Sequence, residues 1–324
     1  MITVFYKQNS SIHSKKLDGD KIVPPNSLWV DVESASADEL DIVQKSCGIK
    51  LPSKNDVWKN NILNRLYVEN GVAYMTAAII TKQDTPYPRI SPVTFILTPD
   101  SLITIRDISP TSFNVFAQRL QSFPDSFQTS AQTLEALLEE MITRVAYNME
   151  VVDDTLDNLS HRVFDGELAE NGKNPSQMMK ILLKELGTCA DLNSKTNESL
   201  QSINRLLHFF KQTVKNSDEL VKDIEVMIAD THVLTHQADF AADKISFQLD
   251  AILGMINIEQ NIIMKLFSVF SVFFMPPTLV AGIYGMNFKY MPELEWLDGY
   301  PMAIAVMMTC AITPFLYFRR KKWL

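Results

Sequence analysis

Two uncharged runs near the C-terminus constrain this chain more than any other feature. Leu266 to Phe288 reads LFSVFSVFFMPPTLVAGIYGMNF, and Gly299 to Phe318 reads GYPMAIAVMMTCAITPFLYF. Neither contains Asp, Glu, Lys, Arg or His. A bilayer core of about 30 Å takes about 20 helical residues, and globular helices seldom stay uncharged for so long. Two such runs in tandem predict a membrane hairpin. Arg319, Arg320, Lys321 and Lys322 follow the second run directly, and positive flanks stay cytoplasmic. The linker Lys289 to Asp298 sets Glu293, Glu295 and Asp298 against one lysine, so it is expected outside. Tyr290, Trp296, Tyr300 and Trp323 lie near the run ends, where aromatic belts form. The N-terminal MITVFYKQNSSIHSKK has no long apolar stretch. No signal peptide is expected, and both termini are placed in the cytoplasm, with the protein in the cell (inner or plasma) membrane.

The overall net charge of −8 hides a division. From Leu266 onward there are five basic and three acidic residues, which leaves −10 on the preceding body. An acidic body lacks the basic footprint of a nucleic-acid binder and suits a divalent-cation partner. Cys47, Cys189 and Cys310 are isolated and odd in number, against a disulfide framework or a zinc ribbon. The sequence holds no phosphate loop, no HExxH and no GxSxG, so an enzyme is not expected.

Nine of the fifteen prolines precede residue 125, and none lies between Pro175 and Pro276. The first region has β-rich runs at 27–32, 71–80, 93–98 and 101–107. Helical patches at 36–47 and 109–123 lie among them, which predicts a small α/β domain. From about Gln128 the apolar spacing is helical. Turn residues Asn171, Gly172, Asn174 and Pro175 close one helix, and a second is expected from Ser176 to Val214. Asp218 is a candidate N-cap for a third, which runs unbroken into the first apolar run. Ile224, Ile228, Ala238, Ala242, Ile245, Leu249, Ile252 and Ile256 keep the three- and four-residue spacing that packing between long helices requires. The first helix is acidic at Glu150, Asp153, Asp154, Asp157, Asp165, Glu167 and Glu170, either as a solvated face or as a cation collector.

The expected division is an α/β cytoplasmic domain (1–125), a cytoplasmic helical hairpin (126–214) and a stalk helix (215–265). A first transmembrane helix (266–288), an external loop (289–298), a second transmembrane helix (299–318) and a basic tail (319–324) complete it.

One face of the third helix is polar, small or thioether-bearing: Asp250, Leu253, Asn257, Asn261, Met264, Ser268, Ser271, Met275, Thr278, Gly282 and Gly285. The residues between are largely Phe, Val and Leu. Such a stripe inside a membrane faces another helix or water rather than lipid. One helix cannot enclose a channel, so a pore reading implies a symmetric homo-oligomer. No Lys or Arg interrupts the stripe until Lys265 beside its cytoplasmic end, which favours cations over anions. Gly285, Met286 and Asn287 end the run. Their spacing fits a helix stop and equally a ring of amide oxygens. Mg²⁺ dehydrates reluctantly, and such a ring would hydrogen-bond its waters without stripping them. Glu293 and Glu295 would raise the local cation concentration.

YGMNF (284–288), MPEL (291–294), a second apolar run and a basic tail together closely resemble the CorA family of magnesium transport proteins. The match is most specific from Asn261 to Leu324. The resemblance implies a funnel-shaped homopentamer in which five first spans line the pore. Gly285, Met286 and Asn287 would form the selectivity filter, with Asn287 binding hydrated Mg²⁺. Asp250, Asn261, Met264, Met275 and Thr278 fall on pore-lining positions, and Phe267 on an apolar constriction. The family closes when cytoplasmic Mg²⁺ binds carboxylates between subunits. The matching loop is LPSKNDVWKN (51–60), which points to Asp56, preceded here by Asn55. On the helix, KDI (222–224) suggests Asp223, a gapless alignment lands on Val226, and Asp230 is the nearby fallback. Mg²⁺ would thus be both transported and regulatory ion. Two alternatives stand beside this. A zinc, cobalt or nickel transporter would share the architecture, with His232, His236, Asp239 and Asp243 as soft-metal candidates. A membrane-anchored scaffold would explain the helices but not the polar stripe.

Overall fold

A computed structural model describes residues 1–8, 11–17, 23–24, 26–52, 66–81, 88–164, 175–215, 217–287 and 289–321, the side chains of 175, 176, 293 and 294 excepted. It divides into two compact units, Met1–Asp250 and Ala251–Leu324.

In the first unit a seven-stranded sheet has the order β2-β1-β3-β7-β6-β5-β4. The strands are β1 (Ile2–Gln8), β2 (Ser11–Leu17), β3 (Ser27–Glu33), β4 (Leu66–Glu69), β5 (Val72–Thr81), β6 (Arg89–Leu97) and β7 (Leu102–Arg106). β3 and β7 are parallel and every other neighbouring pair is antiparallel. The sequence expectation of strands alternating with helices therefore resolves into a mixed sheet built chiefly from hairpins. Helix α1 (Ala37–Cys47) opens on a capping box. Glu39 N–H donates to Ser36 Oγ at 3.3 Å, and Ser36 N–H donates back to Glu39 Oε2 at 2.9 Å. It closes at Gly48, whose φ of 63° suits glycine.

One sheet face packs Phe5, Trp29, Met75 and Phe95 against helix α2 (Thr111–Ser122) and the start of α3 (Ser130–Phe164). Trp29 stacks on Phe5 at 4.6 Å and meets Phe116 edge-on at 5.2 Å. Each such pair adds about 0.5–1.5 kcal/mol beyond area burial. The opposite face gathers Val4, Val30, Val32, Ile96 and Ile103 with Val43 of α1. A buried network ties the parallel pair: Trp29 Nε1 donates to Thr104 Oγ1, and Thr104 Oγ1 to Asp31 Oδ1. Arg106 donates to both oxygens of Asp31, at 3.0 and 2.7 Å. Such a pair is tolerated inside because every charge is met.

Helices α4 (Pro175–Thr213) and α5 (Asp218–Tyr284) complete the helical part. β4 pairs only with residues 72–75 of β5, and beyond it Ala78 N–H donates to Ser202 Oγ of α4 at 2.8 Å. The helix thereby covers an edge that would otherwise invite further pairing. The face of α5 buried in the first unit is Ile224, Met227, Thr231, Ala238, Ala241 and Gln248. This differs from the apolar series expected from sequence: Ala242 and Leu249 are exposed, while the polar Thr231 and Gln248 lie inside. Gln248 gains its place by donating to Leu156 O of α3 at 2.7 Å.

In the second unit, α5 continues to Tyr284 and α6 runs from Gly299 to Arg320, both long and apolar enough to cross a membrane. Phe273 of α5 meets Phe315 of α6 edge-on at 6.1 Å. Pro276 and Pro277 lie inside α5. Lacking N–H groups, they donate nothing to the carbonyls of Val272 and Phe273. A short 3₁₀ turn, Pro292–Glu295, lies between the helices.

Candidate functional site

The polar stripe is carried by one uninterrupted helix, so its residues keep the helical spacing that sequence gave them. Within the second unit Asn257, Asn261, Met264, Phe267, Ser271, Met275, Thr278 and Gly282 are all exposed, and in the first unit so is Asp250. The lipid-type residues Phe270, Phe274 and Leu279 are exposed as well. Exposure of a single chain does not separate the faces; chemistry does. Ser271, Met275, Thr278, Gly282 and Met286 line one shallow groove, with Phe274, Leu279 and Ile283 as its apolar margin.

The hydroxyls on this face point their protons into the helix. Ser268 Oγ donates to Met264 O at 2.8 Å, Ser271 Oγ to Phe267 O at 2.9 Å, and Thr278 Oγ1 to Phe274 O at 2.6 Å. Each oxygen then offers outward only lone pairs. These three acceptors suit water protons and cations better than anions. This orientation is not legible in the letters Ser and Thr; it comes from the i−4 carbonyl that a helix supplies.

At the top of the helix the chain stops within two residues. Gly285 N–H donates to Ala281 O at 2.9 Å and Met286 N–H to Ile283 O at 3.2 Å. A Cβ on Gly285 would lie 3.0 Å from Ala281 O, a tight approach that glycine avoids. Gly285, Met286 and Asn287 therefore follow the helix rather than end inside it, and Asn287 is exposed. Glu293 lies in the 3₁₀ turn, and Glu295 at its end is exposed. Tyr290, Trp296, Leu297 and Tyr300 are more than half exposed around them.

The carboxylates considered for regulation divide. Asp56 and Asn55 lie outside the described residues. Asp223 and Asp230 line a cavity of about 640 Å³ with Arg119, Glu135, Glu139 and Glu219. Burial, then the charges of Glu139 and Asp223, push the Glu135 carboxyl up to about 7, against a smaller opposing effect of Arg119. Arg119 is held by Glu139 at 2.8 Å. Among the described residues, no three His, Cys, Asp or Glu side chains converge as a metal-ligand set. His232 sits 3.5 Å from Asn204 Nδ2, and Asp239 accepts from Asn197 at 3.1 Å, so both are engaged in polar contacts along the helix surface. The acidic face of α3 is in part a set of struts. Asp153 accepts from Gln237 of α5 at 2.5 Å, and Asp157 pairs with Lys244, which holds its carboxyl below the usual range.

A model of the CorA-like Mg²⁺ transporter protein family matches residues 26–320. A magnesium transport protein CorA of Haemophilus ducreyi is 30% identical over 299 residues, 92% of each chain. Its counterpart from Haemophilus influenzae strain Rd is 30% identical over 324 residues, the full length of both. Among solved structures, the CorA magnesium transporter of Methanocaldococcus jannaschii superposes with a TM-score of 0.77 at 18% identity, covering 100% of this chain and 99% of that one. At that identity the likeness speaks for the fold.

Proposed function

This chain belongs to the CorA-like Mg²⁺ transporter family, and from that premise we propose that its first span lines a channel-like pore for hydrated Mg²⁺, formed by five copies. It is a membrane transporter with two C-terminal transmembrane helices and not an enzyme, and Mg²⁺ is its substrate rather than a cofactor. The observation that carries the pore reading is the uncharged polar stripe and the way its hydroxyls turn. Ser268, Ser271 and Thr278 face outward with lone pairs while their protons are spent on their own helix. Mg²⁺ keeps its waters, and those waters donate. Asn287 offers a neutral amide oxygen at the mouth, with Gly285 and Met286 completing the filter. Asp250, Asn257 and Asn261 continue the lining on the cytoplasmic side of Met264. Phe267 is the apolar constriction, and Glu293 and Glu295 enrich cations outside. The basic end at Arg319 to Lys321 is placed inside.

Self-association has its own support. Val226, Val233, Phe240 and Phe247 of α5 are 60–67% exposed. They recur every seven residues, two helical turns, and so form one narrow apolar row along the exposed side of the helix that a second copy would cover.

Gating by cytoplasmic Mg²⁺ would act through carboxylates between copies: Asp223 or Asp230 on α5 and Asp56 from the loop. The acidic cavity around Asp223 and Asp230 is consistent with cation attraction there. Millimolar Mg²⁺ should slow proteolysis of the soluble part, and Asp223→Ala should weaken that protection; equal protection in both proteins would remove Asp223 from the gate.

The stripe is tested with single cysteines in a background in which Cys47, Cys189 and Cys310 are replaced by Ala or Ser. Ser271→Cys on the stripe should lose Mg²⁺ flux on treatment with a charged thiol reagent, while Val280→Cys on the opposite side should keep it. Equal sensitivity at the two positions would refute the assignment.

A further inference from the structure

Helices α3, α4 and α5 meet along a seam that is polar where an apolar core is expected. Asn148 of α3 and Asn193, Thr196 and Ser199 of α4 are at most 4% exposed. The α5 side of the seam is small: Ala238 and Ala241, both fully buried. Asn193 Nδ2 donates to Ala238 O at 2.9 Å. That bond fixes which way the amide points and leaves Asn193 Oδ1 with no hydrogen-bond partner. Asn148 Nδ2, Thr196 Oγ1 and Ser199 Oγ have none either.

The register of the helices brings Asn148, Asn193 and Thr196 near one level, with Ser199 further along α4. Cys189 Sγ of α4 approaches Val152 O of α3 at 3.8 Å. The two helices are antiparallel here, since Arg162 of α3 pairs with Glu185, before Cys189. Asn148 lies one turn before Val152, and Asn193 one turn after Cys189, so they face each other. Thr196 sits less than one further turn along α4. A buried donor or acceptor left dry is costly. A buried water takes two to four polar partners, and this junction offers one donor and two acceptors.

We propose that an ordered water occupies the junction, accepting from Asn148 Nδ2–H and donating to Asn193 Oδ1 and Thr196 Oγ1. It joins the three helices where Asn193 also grips the α5 backbone. Ser199 extends the polar seam toward Ser202, which already accepts from Ala78 of β5 at 2.8 Å. α5 is then held in the first unit by directional bonds to a small-residue stretch, with water as the third party. The inference does not depend on the transport reading.

Thr196→Val tests it in the full-length, detergent-solubilised protein, because the two side chains have nearly the same shape. With a water in place, losing the hydroxyl strands a water hydrogen and lowers the melting temperature by several degrees. In a dry seam the same change removes an unmet hydroxyl and leaves the melting temperature equal or higher, which would overturn the proposal. A density map of the wild-type protein at about 2 Å gives an independent readout. A peak within about 3.2 Å of all three atoms supports the water, and continuous side-chain packing with no peak contradicts it.

Discussion

Single residues do opposite things at the two ends of α5. Near its start, Glu135 of α3 is pressed among Glu139 and Asp223 in a half-buried cavity, and its carboxyl is pushed from 4.5 up to about 7. The folded chain then holds this proton more tightly than the unfolded chain. Stability from it is complete below about pH 4.5 and is lost as pH rises through 7. Glu135→Gln mimics the protonated form. It should match wild type at pH 5 and melt higher at pH 8, by about 2–4 °C for about 1 kcal/mol after allowance for solvent screening. Parallel melting curves at both pH values would contradict this. Near the end of α5, Gly285 has the reverse task of staying out of the way: with Ala281 O 3.0 Å from where a Cβ would stand, any side chain there crowds the turn into Asn287. The GMN residues were legible in the sequence because their letters are unusual between two uncharged runs. Glu135 was not, since nothing in the sequence around it says that Asp223, 88 positions on, will share its cavity.

At the scale of elements, what could be read in advance were features that repeat locally. Both apolar helices, the long proline-free helices and strands β3, β5, β6 and β7 follow from period and turn residues. β1 and β2 did not stand out: β2, SIHSKKL, is an edge strand with two of seven residues buried, so its alternation is lost among polar residues. The packing face of α5 within one chain was legible only in part for a related reason. An apolar periodicity does not mark Thr231 and Gln248, which hold core positions through hydrogen bonds to Ile228 O and Leu156 O, nor does it show that Phe240 and Phe247 stay outside. Those exposed aromatics make a prediction at this scale. Phe240→Glu places a charge every copy must bury if the seven-residue seam is shared. It should shift the purified protein from a large oligomer to smaller species by light scattering, with the secondary structure retained. An unchanged mass would mean the seam is not an interface.

For the whole molecule, the charge divides at Lys265 between an acidic body and a basic-ended hairpin, while the structure divides earlier on the same helix, into Met1–Asp250 and Ala251–Leu324. In the proposed pore, the hydroxyls of Ser268, Ser271 and Thr278 turn lone pairs outward, the amides of Asn257, Asn261 and Asn287 add neutral oxygens, and no Lys or Arg stands on the stripe. On the proposed reading Mg²⁺ would move down its own electrochemical gradient, without a nucleotide. The most direct test is Mg²⁺ entry into sealed vesicles containing the purified protein, followed with an internal Mg²⁺-sensitive dye at low external Mg²⁺, for wild type and Asn287→Ala. Wild type should admit Mg²⁺ without ATP, in preference to Zn²⁺ or Co²⁺ added at equal concentration, and Asn287→Ala should lower the rate by about tenfold, the loss of about 1.4 kcal/mol of ion binding at the filter. Wild-type vesicles as tight to Mg²⁺ as protein-free ones, or an Asn287→Ala rate equal to wild type, would contradict the account.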